Sequence, residues 1–360
     1  MIAARITKMD YAARRSRVTA SLDSTGADVL LVTRPTNVRY LTGFSGSLPA
    51  LILGDGDELI VDARYAVQVG AGVAGVDVSV VDSSSKVWPG ALERVRGRRV
   101  AVEGHVLTVV QHEQLRRVAR TIVTDGLVER VRQVKDADEI EHLRQAVHLT
   151  DVALESLVGR IREGMTEYEL AGHIEMCQYA AGGEVSASPI IACSGPRTAL
   201  AHGAPSGRTL SRGEPVMVDV GTTVEGYRAD TTRTFHLGEP SGEFREVYGV
   251  VLEAQLAGLD AVAPGRTGRE IDEVARSVIA RAGYADAFGH SLGHALGLDY
   301  HEKPLFGPLD ETVIEPGMVM TVEPGIYLAG RFGVRIEDQI VVTETGAENL
   351  TTFGKELASL

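Results

Sequence analysis

A helix-start signature occurs twice in this chain of 360 residues, and it constrains the fold more than any other feature of the sequence. Gly164-Met165-Thr166 with Glu169 matches Gly265-Arg266-Thr267 with Glu270 at a constant offset of 101 residues. In both copies the threonine and the glutamate form a capping box, in which each side chain bonds the backbone N–H of the other residue. The repeat predicts a duplicated helix–helix–sheet unit with pseudo-twofold symmetry. The alternative is that two similar helix starts arose independently.

Each copy of the signature follows a long amphipathic stretch. From Asp136 onwards, apolar residues recur mostly at three- and four-residue steps as far as Ile161, which predicts one helix that ends at Gly164. The stretch from Glu239 to Ala263 mirrors this pattern ahead of the second copy. A site built from both copies is expected in the cleft where they meet.

The first third of the chain is organised differently, because strand-like and helix-like runs alternate there, which is typical of an α/β domain. The predicted strands are short apolar runs: Asp28–Val32, Ala50–Leu53, Leu59–Val61 and Val100–Val102. The sequence turns polar between Arg130 and Asp138. We therefore predict an α/β N-terminal domain at residues 1–132 and an α+β C-terminal domain with the duplicated units at residues 133–360.

The composition limits the partners and the location of the protein. A formal net charge of -13 argues against nucleic acid and anionic membranes as partners. Residues 1–5 lack the apolar core of a signal peptide, and no run of about 18 apolar residues is present to span a membrane. A cytoplasmic protein is therefore expected. Cys177 and Cys193 imply no disulfide framework and are expected to be small buried residues.

Four carboxylates interrupt apolar, strand-like runs of the C-terminal domain. They are Asp219, Asp230, Glu323 and Glu337. An isolated charge in a buried strand costs several kcal/mol, so each must be paired, neutralised or bound to a cation. If they converge, each pair at about 4 Å repels by roughly 4 kcal/mol at an effective dielectric constant near 20. Divalent cations would convert that repulsion into binding, so the pattern predicts a two-metal hydrolase site.

Each spacing taken alone allows a simpler interpretation. Asp219 and Asp230 flank a predicted turn at residues 224–226, so an antiparallel hairpin would place them roughly opposite each other. Two unrelated surface aspartates are the alternative. Arg335 and Glu337 share one face of a predicted strand, which is also compatible with an ordinary surface ion pair.

Three of the ten histidines fall within 12 residues of one another: His290, His294 and His301. Interleaved glycines would let backbone and ligand approach closely. A histidine on an apolar face is usually a core residue, but the cluster favours metal ligation or acid–base chemistry. His202 lies on a predicted loop just before the strand that carries Asp219.

Together these segments resemble the pita-bread metallopeptidases, and within them the branch that cleaves Xaa-Pro bonds, aminopeptidase P and prolidase. In the C-terminal domain the resemblance is carried by a hairpin, a histidine and two glutamate segments: 218–234, Gly293-His294, 316–325 and 334–338. Thr36–Phe44 resembles the smaller, creatinase-like N-terminal domain of these enzymes. The resemblance thus covers nearly the whole chain and implies an α/β domain followed by a pita-bread catalytic domain.

The resemblance implies five metal ligands. Asp230 and Glu337 would bridge two divalent ions. Asp219 would complete the site of one ion, whereas His294 and Glu323 would complete that of the other. Four oxygen ligands and one nitrogen favour Mn2+, with Co2+ or Zn2+ as alternatives.

The resemblance also implies catalytic roles. Glu323 would carry a proton to the leaving nitrogen. His202 and His301 would stabilise the tetrahedral intermediate, and His290 would lie near the leaving-group pocket. Arg335 would orient the bridging glutamate.

The expected substrates are short peptides with proline at the second position. A prolidase must bind the free carboxylate of a dipeptide, for which arginine is the natural partner. In short prolidases that resemble this chain an arginine often follows His-Glu-x-Pro, whereas Leu305 occupies that place here. The sequence therefore favours an Xaa-Pro aminopeptidase, with an Xaa-Pro dipeptidase as the alternative, and relatives suggest a homodimer or homotetramer. A metal-free binding module of the same fold is a remote alternative, against which the five intact ligands argue.

Overall fold

The computed structural model describes residues 9–70, 73, 75–184 and 190–360. The chain forms two compact units, Met1–Arg132 and Gln133–Leu360. Residues 1–5, on which the expected absence of a signal peptide rests, lie outside the described residues. In the described segments no helix is both long and apolar enough to cross a membrane.

The first unit is built on one mixed sheet. Its strands are β1 (Val29–Val32), β2 (Ala50–Leu53), β3 (Glu58–Asp62), β4 (Asp77–Val81), β5 (Arg99–Glu103) and β6 (Arg120–Thr124), and its helices are α1 (Tyr11–Asp23), α2 (Pro35–Thr42), α3 (Ala66–Val69), α4 (Val87–Arg94), α5 (Val109–Arg116) and α6 (Leu127–Gln133). The strand order is β4-β3-β2-β1-β5-β6. All four strands predicted from apolar runs are present, as β1, β2, β3 and β5. These strands bury nearly all of their side chains.

The second unit contains two helix pairs and several short sheets. Its helices are α7 (Ala137–Val158), α8 (Glu167–Ala181), α9 (Gly242–Ala261) and α10 (Gly268–Arg281). Its strands are β7 (Ile191–Ser194), β8 (Pro215–Val220), β9 (Thr223–Val224), β10 (Tyr227–Arg228), β11 (Thr231–His236), β12 (Gly293–Ala295), β13 (Glu302–Phe306), β14 (Val319–Val322), β15 (Gly325–Leu328), β16 (Phe332–Arg335), β17 (Asp338–Val342) and β18 (Ala347–Asn349).

The two halves of this unit repeat the same arrangement. Helices α7 and α8 share a core with the sheet β11-β8-β7, and α9 and α10 share a core with the sheet β13-β12-β14-β17-β18. Both predicted capping boxes are present, Thr166 with Glu169 at the start of α8 and Thr267 with Glu270 at the start of α10. The duplicated helix–helix–sheet fold is therefore confirmed. Cys177 and Cys193 are buried and free, as predicted.

Helix α7 ends earlier than the sequence pattern predicts, at Val158 with Gly159 as its C-cap. Ile161 lies outside the helix but is buried in the same core as the apolar residues of α7, which explains why the apolar pattern extends beyond the helix. Gly164 (φ 86°) lies in a turn outside the helix, and its backbone N–H donates to the carbonyl of Leu210. The periodicity of apolar residues thus predicted the burial of Ile161 correctly but predicted too long a helix.

Candidate metal centre

Two of the predicted ligands lie on the hairpin formed by β8 and β11. Asp219 lies in β8 opposite Thr232, and Asp230 immediately precedes β11. Glu225 (φ 49°) and Gly226 (φ 78°) form the tight turn between β9 and β10, and both have the positive φ that such a two-residue turn requires. The turn therefore lies within the predicted residues 224–226. Its register offsets the two aspartates by two positions, so they lie roughly rather than directly opposite each other.

The other three predicted ligands come from the second half. His294 lies in β12, Glu323 directly follows β14, and Glu337 lies between β16 and β17. Arg335 is the last residue of β16, so the continuous strand predicted for Arg335 and Glu337 is interrupted between them. The backbone N–H of Glu337 donates to the carbonyl of Thr232, which joins this connection to the hairpin of the first half.

The ligand atoms of Asp230, His294 and Glu337 all lie within 4.8 Å of one another. His294 Nε2 is 3.5 Å from Asp230 Oδ2 and 3.4 Å from Glu323 Oε1. On the other side of the ring, Nδ1 lies 3.0 Å from the carbonyl oxygen of Ala295, which only accepts, so Nδ1 carries the proton. Nε2 therefore faces an oxygen atom of each of two carboxylates, and a proton or a metal ion between these atoms would remove the repulsion.

Asp230 and Glu337 are the two carboxylates of the cluster with strongly raised pKa values. Burial, together with Asp219 and Glu323, raises the pKa of Asp230 well above its usual value, and burial together with Asp230 raises the pKa of Glu337 in the same way. Glu337 Oε2 accepts a hydrogen bond from Thr232 Oγ1 at 2.6 Å, whereas its buried Oε1 has no partner among the residues described. Buried polar atoms are normally satisfied. An unsatisfied carboxylate oxygen beside an imidazole lone pair is a donor set that fits divalent cations.

Asp219 is held on the other side of the cluster by two donors. Arg335 Nη2 donates to Asp219 Oδ2 at 2.5 Å. The Tyr300 hydroxyl donates to Asp230 Oδ1 at 2.6 Å and lies 3.3 Å from Asp219 Oδ1. The family resemblance implies that Arg335 orients Glu337, and in the structure its guanidinium bonds Asp219 directly. It reaches the glutamate only through the hydroxyl of Thr232, because the strand is interrupted after Arg335.

A cavity of about 610 Å³ adjoins these residues. Its lining includes the three histidines for which the family resemblance implies catalytic roles: His202, His290 and His301. An apolar part of the lining is formed by Ile190, Ile191, Ala204 and Leu305. The cavity therefore combines a polar, acidic end with an apolar wall, as a binding site for a small, partly apolar peptide requires.

His290 is fixed in one orientation. Its Nδ1 lies 2.8 Å from the carbonyl oxygen of Ser291, and its Nε2 lies 2.9 Å from the Tyr327 hydroxyl. Burial lowers the pKa of His290, and partial burial with nearby His294 lowers the pKa of His301. Both imidazoles are therefore neutral at neutral pH.

Glu167 is a residue of this region that sequence reasoning missed. It is fully buried at the start of α8, and its carboxylate accepts hydrogen bonds from the backbone N–H and hydroxyl groups of both Ser194 and Ser206, and from Arg197 Nε. The two serines flank the segment that carries His202. Acidic residues are common in the first turn of a helix, where the helix dipole favours them, so nothing in the sequence distinguishes this one.

Tyr300 was missed as well. An aromatic residue beside a histidine carries no signal of its own, and its contact with two aspartates depends on how β8, β11 and the segment before β13 come together in three dimensions.

Two family models match the chain. The Metallopeptidase family M24 matches residues 141–344, and the Creatinase/Prolidase N-terminal domain matches residues 14–134. The Xaa-Pro dipeptidase of Pyrococcus furiosus is 35% identical over 347 residues, which cover 96% of this chain and 99% of that protein.

Solved structures are similar over almost the full length. An Xaa-Pro dipeptidase from Bacillus anthracis has a TM-score of 0.93 and 36% identity, covering 98% of this chain and 100% of that one. An X-Pro aminopeptidase from Thermotoga maritima MSB8 has a TM-score of 0.89 and 35% identity, covering 96% of this chain and 99% of that one.

Proposed function

Since the chain belongs to metallopeptidase family M24 and joins a creatinase-type N-terminal domain to a pita-bread catalytic domain, we propose that it is an Xaa-Pro dipeptidase (prolidase) that uses two divalent ions. Members of this family are metal-dependent hydrolases. The observation that supports the proposal most is the convergence of Asp230, His294 and Glu337 next to a cavity of peptide size. We also propose that the functional domains are residues 1–132 and 133–360.

Within this proposal, Asp230 and Glu337 would contribute to both ion sites. His294 and Glu323 would hold one ion with them, and Asp219 would hold the other. The preponderance of carboxylate oxygens favours Mn2+ over softer ions, with Co2+ and Zn2+ as alternatives. When bound, such ions lower the pKa of water and stabilise negative charge on the scissile carbonyl oxygen.

The side chains of the cavity supply the remaining chemistry. Glu323 is less buried than Asp230 and is held by the Thr321 hydroxyl at 3.1 Å, so it is placed to take a proton from the attacking water and pass it to the proline nitrogen. His202 and His301 donate hydrogen bonds to the oxygen on which negative charge develops. His290 contacts the leaving-group side of the substrate.

The dipeptidase assignment replaces the aminopeptidase that Leu305 favours in the sequence analysis. Relatives named Xaa-Pro dipeptidase match almost the whole chain, which supports cleavage of dipeptides more than of longer peptides. Leu305 lines the cavity, so a substrate carboxylate would be bound there by histidine N–H groups rather than by an arginine at that position. The Xaa-Pro aminopeptidase is the second candidate, and Leu305 and the Thermotoga maritima structure support it.

The two candidates differ in the length of substrate that they prefer. We expect Gly-Pro to be cleaved with a higher kcat/KM than Gly-Pro-Pro or Arg-Pro-Pro in the presence of Mn2+, and chelation to stop all cleavage. Release of the free N-terminal amino acid (glycine or arginine) is measured before and after chelation, with Gly-Ala as the control substrate. Faster cleavage of both tripeptides would identify an aminopeptidase, and no cleavage of any proline peptide would reject both candidates.

The buried carboxylate at the start of α8 gives a second prediction. Glu167→Gln is expected to lower kcat/KM for Gly-Pro by about tenfold. The NH2 group of the glutamine cannot accept the hydrogen bonds that the carboxylate accepts, so the segment that carries His202 is no longer held in place. Loss of an acceptor for buried donors also costs about 1–3 kcal/mol of stability. Glu169→Gln, on the exposed side of the same helical turn, is the matched control and is expected to lower the melting temperature without lowering kcat.

A double-mutant cycle separates positioning from general damage. If Glu167 acts through His202, adding Glu167→Gln to His202→Gln should reduce kcat little further. Fully additive losses would mean that Glu167 supports only the fold.

The cytoplasmic location and the homodimer or homotetramer expected from the sequence stay predictions.

A further inference from the structure

Tyr300 places its hydroxyl where the two aspartates of the first half come together. The hydroxyl donates to Asp230 Oδ1 at 2.6 Å and lies 3.3 Å from Asp219 Oδ1. The ring packs edge-on against the imidazole of His301, with 4.8 Å between ring centroids, and is 5.9 Å from that of His294. The phenol is therefore held against the cluster by its ring as well as by its hydrogen bond.

The two sides of the cluster differ in what occupies their oxygen atoms. On the side of His294, Nε2 faces Asp230 Oδ2 and Glu323 Oε1, and the Glu323 oxygen accepts a hydrogen bond from the Thr321 hydroxyl, which is not itself placed between the aspartates. On the side of Asp219, Oδ2 is bonded by Arg335 and Oδ1 is close to the Tyr300 hydroxyl. A cation between the aspartates would need the oxygen lone pairs that the hydroxyl contacts.

A phenol hydroxyl has one proton to donate, and here an oxygen atom of the Asp230 carboxyl group accepts it. This bond offsets part of the repulsion between the two aspartates when no ion is bound. A cation that enters between them must displace it. The hydroxyl and the cation are therefore competitors for the same oxygen atoms.

We propose that the Tyr300 hydroxyl weakens cation binding on the Asp219 side, so that the two ions bind with unequal affinity and Tyr300 sets the difference. The inference rests on the proposed dinuclear site. It assigns to Tyr300 a role in positioning and metal selection rather than in the peptide-bond chemistry itself.

The test is calorimetric titration of the metal-free full-length protein with Mn2+, comparing the wild type with Tyr300→Phe. The phenylalanine keeps the ring contacts and removes only the hydroxyl. We expect two binding events in both proteins, the tighter one unchanged and the weaker one about tenfold tighter in the variant, which corresponds to loss of one hydrogen bond. Tyr248→Phe is the matched control, because the Tyr248 hydroxyl donates to the backbone carbonyl of Lys355.

An unchanged or weaker second event in Tyr300→Phe would overturn the proposal, since the hydroxyl would then be neutral or itself a supporting ligand. Failure of the wild type to bind any Mn2+ would instead reject the dinuclear site, and with it this inference. A crystal structure of the wild type grown with Mn2+ gives a test that needs no variant. We expect the hydroxyl to have left at least one aspartate, and retention of both contacts beside two bound ions would contradict the competition.

Discussion

Asp230→Asn is expected to abolish peptidase activity while the protein stays folded. Asp230 is proposed to bridge both ions, and an amide cannot replace a bridging carboxylate. Metal ions contribute several kcal/mol to such reactions, so kcat/KM for Gly-Pro should fall by about a thousandfold or more. The measurement is turnover in excess Mn2+, compared with Asp260→Asn, which changes an exposed aspartate of α9 in the same way.

The stability of this variant should move in the opposite direction to its activity. Asp230 is buried, and burial with Asp219 and Glu323 raises its pKa, so its ionised form is unfavourable in the ion-free protein. A neutral side chain of the same shape removes that repulsion. We expect a melting temperature in chelator equal to or above that of the wild type. Normal turnover would refute the bridging role, and a large fall in melting temperature would show that Asp230 supports the fold without a cation.

Local signals in the sequence predicted the fold well. A capping box depends on residues three positions apart, so Thr166 with Glu169 and Thr267 with Glu270 could be recognised without knowledge of the tertiary structure. The acidic residues of the site were found for a similar reason, since a carboxylate in an apolar run is unusual wherever it lies. The structure brings all five predicted ligands together around one cluster, and their role as ligands stays a proposal.

Partner choice within the site could not be predicted in the same way. Whether Arg335 bonds Asp219 or Glu337 depends on where a strand is interrupted, and whether Asp219 faces Asp230 depends on the centre of a turn. A one-residue shift of the strand interruption or of the turn centre changes which side chains meet. The contacts of Tyr300 depend on the strand interruption and on the turn centre, so no sequence pattern predicts them.

Removal of the divalent ions should destabilise the catalytic unit, and the loss should grow as pH rises. Asp230 and Glu337 have raised pKa values in the folded, ion-free protein, so they keep protons at pH values where the unfolded chain, with carboxyl pKa values of about 4, has lost them. The folded state then binds more protons than the unfolded state. Its free energy of unfolding therefore falls as pH rises from about 4 through the raised pKa values.

Cations act in the opposite sense, because they bind the deprotonated carboxylates and become stronger competitors of protons as pH rises. At an ion concentration about 100 times the dissociation constant, a single ion adds about 2.7 kcal/mol of stability. For a unit of this size that corresponds to roughly 5–10 °C in melting temperature. We expect the difference between melting temperatures in Mn2+ and in chelator to widen between pH 5 and pH 8.

The difference between the two conditions, measured at each pH by differential scanning calorimetry, cancels titrating groups outside the cluster. Asp230→Asn provides the internal control, since loss of one titrating carboxylate should make the decline in chelator shallower and the response to Mn2+ smaller. A difference that stays constant or narrows with rising pH would mean that protons and cations do not compete for Asp230 and Glu337. The buried carboxylates would then have to be tolerated for a reason other than cation binding.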